Sequence, residues 1–340
     1  MANILELFNQ PEVLNYQSNR QYPALLGESL FPEVKRQSLE FELIKGAGKI
    51  PVVASVHAFD TEAEIGSREA SRQALKLALI KRKMGISEKD IIALENPRNA
   101  AEQQYLMQNV FNDIDALVAG VRARVEAMRM EALANGTVTL AENGLTATLN
   151  YEVPDENKEA LAGASRWTDE TSDPIADLER WADVLNGSAT RALTSKSVLS
   201  TLMRHPKVVA AIFGAGSGRI PTRANLNAFL TQHDLPAIAV YDQKYRKQNA
   251  DGTYTSHRYF PNNKFVLFGD GPLGETIYGP TAEEIRLTRD PSIDTTKVGN
   301  VLAMVYEENL DPVSTWTKAV ATALPSFPAA DEVFQAQPIA

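Results

Sequence analysis

Between Asn99 and Asn135 the apolar residues Leu106, Val110, Ile114, Leu117, Val121, Val125 and Met128 recur in steps of three and four. That spacing predicts a helix with one buried face. Asn99-x-x-Glu102 supplies a capping arrangement at its start and Asn135-Gly136 suits its end. At 1.5 Å per residue such a helix spans about 54 Å, whereas a compact globule of this chain length is only about 50 Å across. Leu106, Leu117 and Met128 lie eleven residues apart, close to the period of a straight helix, where a left-handed coiled coil needs sevens. The pattern predicts a long straight helix laid along a sheet, with Arg122, Arg124, Glu126 and Arg129 elsewhere on its surface.

The flanking segments predict an α+β protein. Residues 1–36 carry scattered apolar groups without a sustained period, as expected of an arm that lies on a partner. Leu39, Phe41 and Leu43 alternate in a strand that Ala74–Arg82 can pair with as a second strand, a short helix being the alternative there. The polar stretch between them has almost no core of its own, so it is expected to rest on a neighbouring subunit. After the long helix, Thr137–Leu140 and Leu145–Tyr151 flank Glu142-Asn143-Gly144 as a hairpin. A polar connector, 154–174, leads to a helix in DPIADLERWADVLN. A second α/β segment follows, with a helix at Ser195–Met203, strands at Val208–Phe213 and Ala237–Asp242, and a hairpin turning at Ala250-Asp251-Gly252. Val298–Glu307, Val313–Leu324 and Val333–Gln337 read as closing strands.

Composition narrows the classes. A chain of 340 residues that is 44% hydrophobic and 23% charged can bury a substantial core. It has no apolar run of the roughly 18 residues a membrane span needs, and MANILELFNQ lacks the features of a signal peptide, so the protein is expected in the cytoplasm. The absence of cysteine rules out disulfides, thiolate nucleophiles and zinc ribbons. A net charge of −9 argues against a broad DNA-binding surface. The nearest basic patch, Lys81-Arg82-Lys83, reads as a charged strand end.

The strongest chemical signal is Gly269-x-Gly271-x-x-Gly274, which follows the apolar run Phe265–Phe268. A dinucleotide site would need a helix straight after the glycines. Thr276, Ile277 and Tyr278 favour a strand, and Gly279-Pro280 would break a helix after barely a turn. The stretch reads better as a strand-turn-strand pair. Gly214-Ala-Gly-Ser217-Gly218 lacks the glycine two residues before serine that a nucleophile elbow needs, and reads as a surface loop. His57, His205, His233 and His257 show no i, i+4 pairing, and His57-x-x-Asp60 has no third ligand in register. Trp167, Trp181 and Trp316 read as core anchors. The residues point to no catalytic group, cofactor or metal.

The order of arm, extended hairpin loop, long helix, inserted α/β segment and returning strands resembles the tailed-phage major capsid proteins of the Hong Kong 97-type fold. More narrowly, the chain resembles the lambda-type major capsid family, the phage capsid protein E family. The stretches that carry this are Trp167 with Asp173-Pro174 and Asp177-Leu178, YFPNNKFVLFGDGPLGETIYGPTAEE from Tyr259 to Glu284, and TWTKAVATALPSFPAADEVFQAQ from Thr315 to Gln337.

The resemblance implies an N-terminal arm at 1–36, an extended loop at 37–94 and a peripheral domain with its spine helix at 95–189. It places an axial domain at 190–290 and the peripheral return at 291–340. It implies a non-enzymatic subunit that self-assembles as pentamers and hexamers into the icosahedral shell enclosing the double-stranded DNA of a tailed bacteriophage. Partners would be a scaffolding protein during assembly, expected as a separate chain, and a portal protein. Lambda-type shells also recruit a decoration protein, and some relatives cross-link through lysine; Lys45 and Lys49 lie in the loop without a matching motif. Assembly would occur in the host cytoplasm and the product would be the virion. Glu64, Arg68 and Arg72 are the candidate intersubunit ion-pair residues. The competing readings are a nucleotide-dependent enzyme using Gly269-x-Gly271-x-x-Gly274, or a non-capsid assembly protein such as a tail component or nanocompartment shell.

Overall fold

The computed structural model describes residues 4–44, 72–142, 145–249, 251–308 and 314–340. Three short helices, α1 (Ile4–Leu7), α2 (Gln10–Asn19) and α3 (Leu26–Leu30), lead into strand β1 (Glu33–Lys35). Helices of four and five residues are too short to display a 3.6-residue period, so this segment looked irregular in sequence. Its apolar groups Ile4, Phe8, Val13, Leu30 and Phe31 enter the main core of the same chain. The arm therefore packs on its own subunit.

Strands β2 (Glu40–Ile44) and β3 (Arg72–Lys76) pair antiparallel, with Phe41 opposite Leu75. The single strand expected at Ala74–Arg82 is divided at Leu77. Its second part, β4 (Ala78–Ile86), belongs to another sheet. Lys81, Arg82 and Lys83 thus lie mid-strand rather than at a strand end, and each is engaged. Lys81 pairs with Glu283 at 3.1 Å, Arg82 donates to Gln248 at 3.4 Å, and Lys83 sits 3.8 Å over the Trp316 ring. Trp316 is accordingly half-buried and not a core anchor.

Helices α4 (Glu88–Glu95) and α5 (Ala100–Asn135) follow. The caps of α5 form as expected: Asn99 Oδ1 accepts from the Glu102 N–H at 2.8 Å, Glu102 accepts from the Arg98 N–H at 2.8 Å, and Gly136 adopts φ +68. The apolar stripe holds through Val121. Beyond it, Val125–Ala134 is buried on every side except at Glu131, because this half passes between two sheets and the arm. Arg129, expected on the surface, is 1% exposed, and Glu126 is fully buried.

The hairpin β5 (Thr137–Glu142) and β6 (Leu145–Asn150) forms, its tip at Asn143-Gly144 lying outside the described residues. The chain then runs through β7 (Lys158–Ala160), α6 (Pro174–Val184), β8 (Arg191–Thr194), α7 (Lys196–Arg204), α8 (Pro206–Phe213), α9 (Arg223–Gln232) and β9 (Ala237–Val240). Val208–Phe213 is helical, not a strand. Pro206 opens it, His205 Nδ1 accepts from the Lys207 N–H at 3.3 Å, and of the six residues only Val208 is buried. Capping and packing against α6, α7 and α9 outweigh β-branched propensity. After the hairpin β10 (Lys244–Gln248) and β11 (Tyr254–Arg258) come β12 (Phe265–Phe268), β13 (Thr276–Gly279), α10 (Ala282–Leu287), β14 (Leu302–Glu308), β15 (Ser314–Pro325) and β16 (Val333–Gln337).

Two five-stranded sheets result. In the first, β15 takes β4 along one edge and shares its other edge between β14 and β13, which continues to β1. In the second the order is β7-β16-β12-β8-β9. Strands β12 and β13 therefore lie in different sheets, and the glycine loop between them is a crossover rather than the turn of a strand pair. Strand β12 is buried on both faces. Val266 and Phe268 enter the core under α5, while Phe265 and Leu267 enter a second core with Trp167, Trp181 and Phe334. The two-residue alternation of a strand lets one segment join two cores.

Two outcomes test this account. A Cβ at Gly274 would lie 2.1 Å from the Ser326 carbonyl oxygen, whereas one at Gly271 meets nothing within 4 Å. Gly274→Ala should therefore lower stability in urea melts by at least ~2 kcal/mol. Gly271→Ala, at φ +86, should cost only about 1 kcal/mol. The second concerns Glu283 of α10, whose carboxyl ties β4 and β15 through Lys81 and Lys318. Partial burial pushes this carboxyl up, but the two lysines and its own N–H outweigh that and pull it from the ordinary 4.5 down to about 2. Its contribution is present in full above pH 4.5 and is lost as pH falls towards about 2. Glu283→Gln should flatten the stability profile across that window in acid titrations followed by circular dichroism.

Candidate functional site

The most concentrated polar constellation among the described residues lies where α5 meets the arm. Arg129, on the inner side of α5, donates from Nε to Thr276 Oγ1 at 2.7 Å and from Nη2 to Glu33 Oε1 at 2.9 Å. Its Nη1 lies 3.4 Å from Glu126 Oε2 and 3.9 Å from Glu28 Oε1. Arg122, two turns earlier on the helix, reaches Glu28 at 2.6 Å. Glu126 Oε1 accepts from the Gly27 N–H at 2.9 Å and from the Tyr241 hydroxyl at 2.8 Å. Glu33 additionally receives Asn300 at 2.8 Å and Tyr278 at 3.1 Å. The cluster thus joins arm, long helix, first sheet and the residue immediately after β9.

Sequence spacing explains part of this convergence. Arg122, Glu126 and Arg129 are separated by four and three residues and share a helix face. The rest depends on close approach. A Cβ on Gly27 would sit 2.5 Å from Glu126 Oε2 and 2.7 Å from Arg129 Cδ, so only glycine lets the arm come this near.

The electrostatics are uneven. Three carboxylates face two guanidiniums, so the fully ionised cluster carries one surplus negative charge. Burial pushes the Glu126 carboxyl above its ordinary value, although Gly27, Tyr241 and Arg129 pull the other way. Partial burial also pushes Glu33 up, but hydrogen bonds from Asn300, Arg129 and Tyr278 outweigh it and hold Glu33 below the usual carboxylate value. Burial, with Glu126 and Glu33 adding to it, raises Tyr241 and Tyr278, which stay protonated donors. The arrangement binds backbone segments together and offers no open, reactive group.

The residues singled out from sequence fall elsewhere. Glu64, Arg68, His57, Asp60, Lys45 and Lys49 lie outside the described residues. Arg72 opens β3 in register with Ile44. At the glycine loop, the Arg191 guanidinium donates to the Gly269 oxygen at 2.7 and 2.9 Å and also to the Gly271 oxygen. The loop thus presents carbonyl oxygens to a cation, and β13 follows it, so it lacks the helix of a phosphate cradle. His205 caps α8 and its Nε2 meets Ser172 Oγ at 3.1 Å and the Asp169 oxygen at 3.0 Å. The Gly214–Gly218 stretch is a loop between α8 and α9.

A long helix crossing one sheet, an N-terminal arm folded under it, the paired strands β2 and β3 and an inserted sheet-and-helix module together define the Hong Kong 97-type capsid fold. The assigned capsid protein of an Escherichia coli CFT073 prophage superposes with a TM-score of 0.61 at 17% identity, over 96% of each chain. A phage-related protein of Bordetella bronchiseptica RB50 superposes with a TM-score of 0.55 at 14% identity, over 99% of this chain and 98% of that one. The chain belongs to the phage major capsid protein E family, whose sequence model matches residues 12–337. No curated protein sequence matches it. Fold and family together make it a phage major capsid protein, a structural subunit of the virion shell.

Arg129→Met should cost about 3–5 kcal/mol in the folding equilibrium, because it strands Glu126 and Glu33 without their guanidinium. Arg122→Met, whose partner Glu28 is partly solvated, should cost about 1 kcal/mol or less. Urea denaturation of the unassembled subunit measures both, and equal losses would refute the central place given to Arg129.

Proposed function

We propose that the subunit assembles as pentamers and hexamers into an icosahedral shell that encloses the double-stranded DNA genome of a tailed bacteriophage. The observation that carries this reading is the reach of the family match, from within the arm to the last strand, on a fold of the capsid type. On this reading the protein is not an enzyme. A scaffolding protein directs assembly in the host cytoplasm, a portal protein occupies one vertex, and the shell expands as DNA enters.

The domain assignment follows the same reading: arm 1–36, extended loop 37–94, peripheral domain 95–189 with 291–340, and axial domain 190–290. Strands β7 and β16 enter the sheet of the axial domain and β13 goes the other way. The two domains would then share backbone hydrogen bonds as well as a core. Glu64, Arg68 and Arg72 would make ion pairs with the adjacent subunit, a role their charge and the polar character of the loop support.

Electron microscopy of the protein expressed with its scaffold should show closed icosahedral particles. Tubes or open rings would reject the shell reading, as would tight binding of a dinucleotide to the unassembled subunit. Arg68→Glu should lower the yield of closed shells without changing the melting of the isolated subunit. Unchanged assembly would remove the loop ion pairs from the account.

A further inference from the structure

Charge is sorted along the second sheet. From Asp155 to Thr190, the segment that contains β7 and α6, nine acidic residues stand against three basic ones. From Arg191 to Val240, which contains β8, β9 and helices α7 to α9, six basic residues stand against one acidic. The sheet order β7-β16-β12-β8-β9 puts β7 and β9 at opposite edges. One edge is therefore acidic and the other basic, within a chain whose net charge is −9.

A helix reaches each edge strand. Arg180 and Trp181 of α6 both reach the Glu159 carboxylate of β7, at 2.7 and 2.5 Å. At the other side Asn227 of α9 accepts from the Ile238 N–H at 3.0 Å and donates to its oxygen at 3.3 Å. These bonds occupy the outward backbone groups of Ile238, within the four-residue strand β9, and hinder a neighbour from adding there as a further strand. What each edge presents is side-chain charge. Glu170, Glu179 and Asp183 are exposed on the acidic side, and Lys196, Arg204 and Arg223 on the basic side. None of these six has an ion-pair partner among the described residues. Lys196 and Arg204 also line an open concavity of about 530 Å³ with Ser197, Ser200, Thr201 and Arg258.

We propose that the basic edge formed by α7 and α9 docks on the acidic edge formed by α6 of a second copy of this chain, head to tail around a rotation axis. A contact between two different surfaces of identical subunits closes into a ring when the rotation allows. Opposite charge on the two surfaces selects that pairing and disfavours like edges meeting. The inference rests on the shell reading and names the surfaces that build its rings.

Charge reversal tests it in the full chain. Arg204→Glu with Arg223→Glu reverses the basic edge, and Glu179→Lys with Asp183→Lys reverses the acidic one. All four side chains are exposed, so circular dichroism melts of the isolated subunit should match the parent. At about 0.15 M salt, each edge reversal should reduce ring-sized assemblies in sedimentation velocity about tenfold or more, and the fourfold variant should restore them. The proposal is overturned if either reversal assembles like the parent, or if the fourfold variant is no better than the two it combines. It is also overturned if basic-edge reversal leaves shells intact but abolishes their nuclease-protected DNA, which would assign that edge to nucleic acid. Failure of the parent chain to form rings or shells at all would remove the shell reading itself, and this inference with it.

Discussion

A guanidinium enclosed to 1% exposure must have carboxylates, and Arg129 draws them from separate parts of the chain. Glu126 comes from its own helix, while Glu28 and Glu33 come from the arm. Because an isolated charge there would cost several kcal/mol, the arm, the helix and the sheet bearing Thr276 must be in place together. Tyr241 adds the inserted segment to the same network through Glu126. A subunit built this way has its parts coupled through one desolvated site, and displacement of the arm would expose that site to immediate electrostatic penalty.

Strand β12 supplies the apolar counterpart of that coupling. Its four residues divide two and two between the core under α5 and the core around Trp167 and Trp181. The loop that follows must then leave one sheet and enter the other within seven residues. Arg191 holds its first carbonyls, and Gly274 passes against the Ser326 carbonyl where no side chain fits. The two glycines have different causes: Gly274 has room for backbone only, whereas Gly271 has open space and is set by its φ of +86.

How much of this was legible in the sequence depends on the range of the interaction. The caps and length of α5 could be read because they are set by neighbours within four residues. The stripe from Leu106 to Val121 was readable for the same reason. Its continuation was not: Met130, Leu133 and the charged pair Glu126 and Arg129 are buried by elements from distant sequence, which turn a solvent face into a core face. Val208–Phe213 misled because β-branched residues favour strands on average, while the cap at His205 and three neighbouring helices decided locally. Trp316 read as an anchor by residue type alone; its ring instead lies over Gly85 and beneath Lys83. The buried cluster had one sequence signal, the four-and-three spacing of Arg122, Glu126 and Arg129, but nothing in that spacing points inward.

Net charge is an average, and the average conceals the sheet's polarity. A balance of −9 argues against the whole surface being a cationic sleeve for nucleic acid. It does not describe what a neighbouring subunit meets, because screening limits each charge to a range of about 8 Å at physiological salt. Over that range the β9 side of the inserted module is basic and the β7 side acidic, whatever the remainder of the chain carries. The same screening makes side-chain contacts of this kind weak singly and sensitive to salt. Repeated around a closed ring, as proposed, they would act together, each contact holding the next in register. A chain without cysteine has no disulfide to lock such contacts, so on the proposed pairing each would stay reversible until the ring closes.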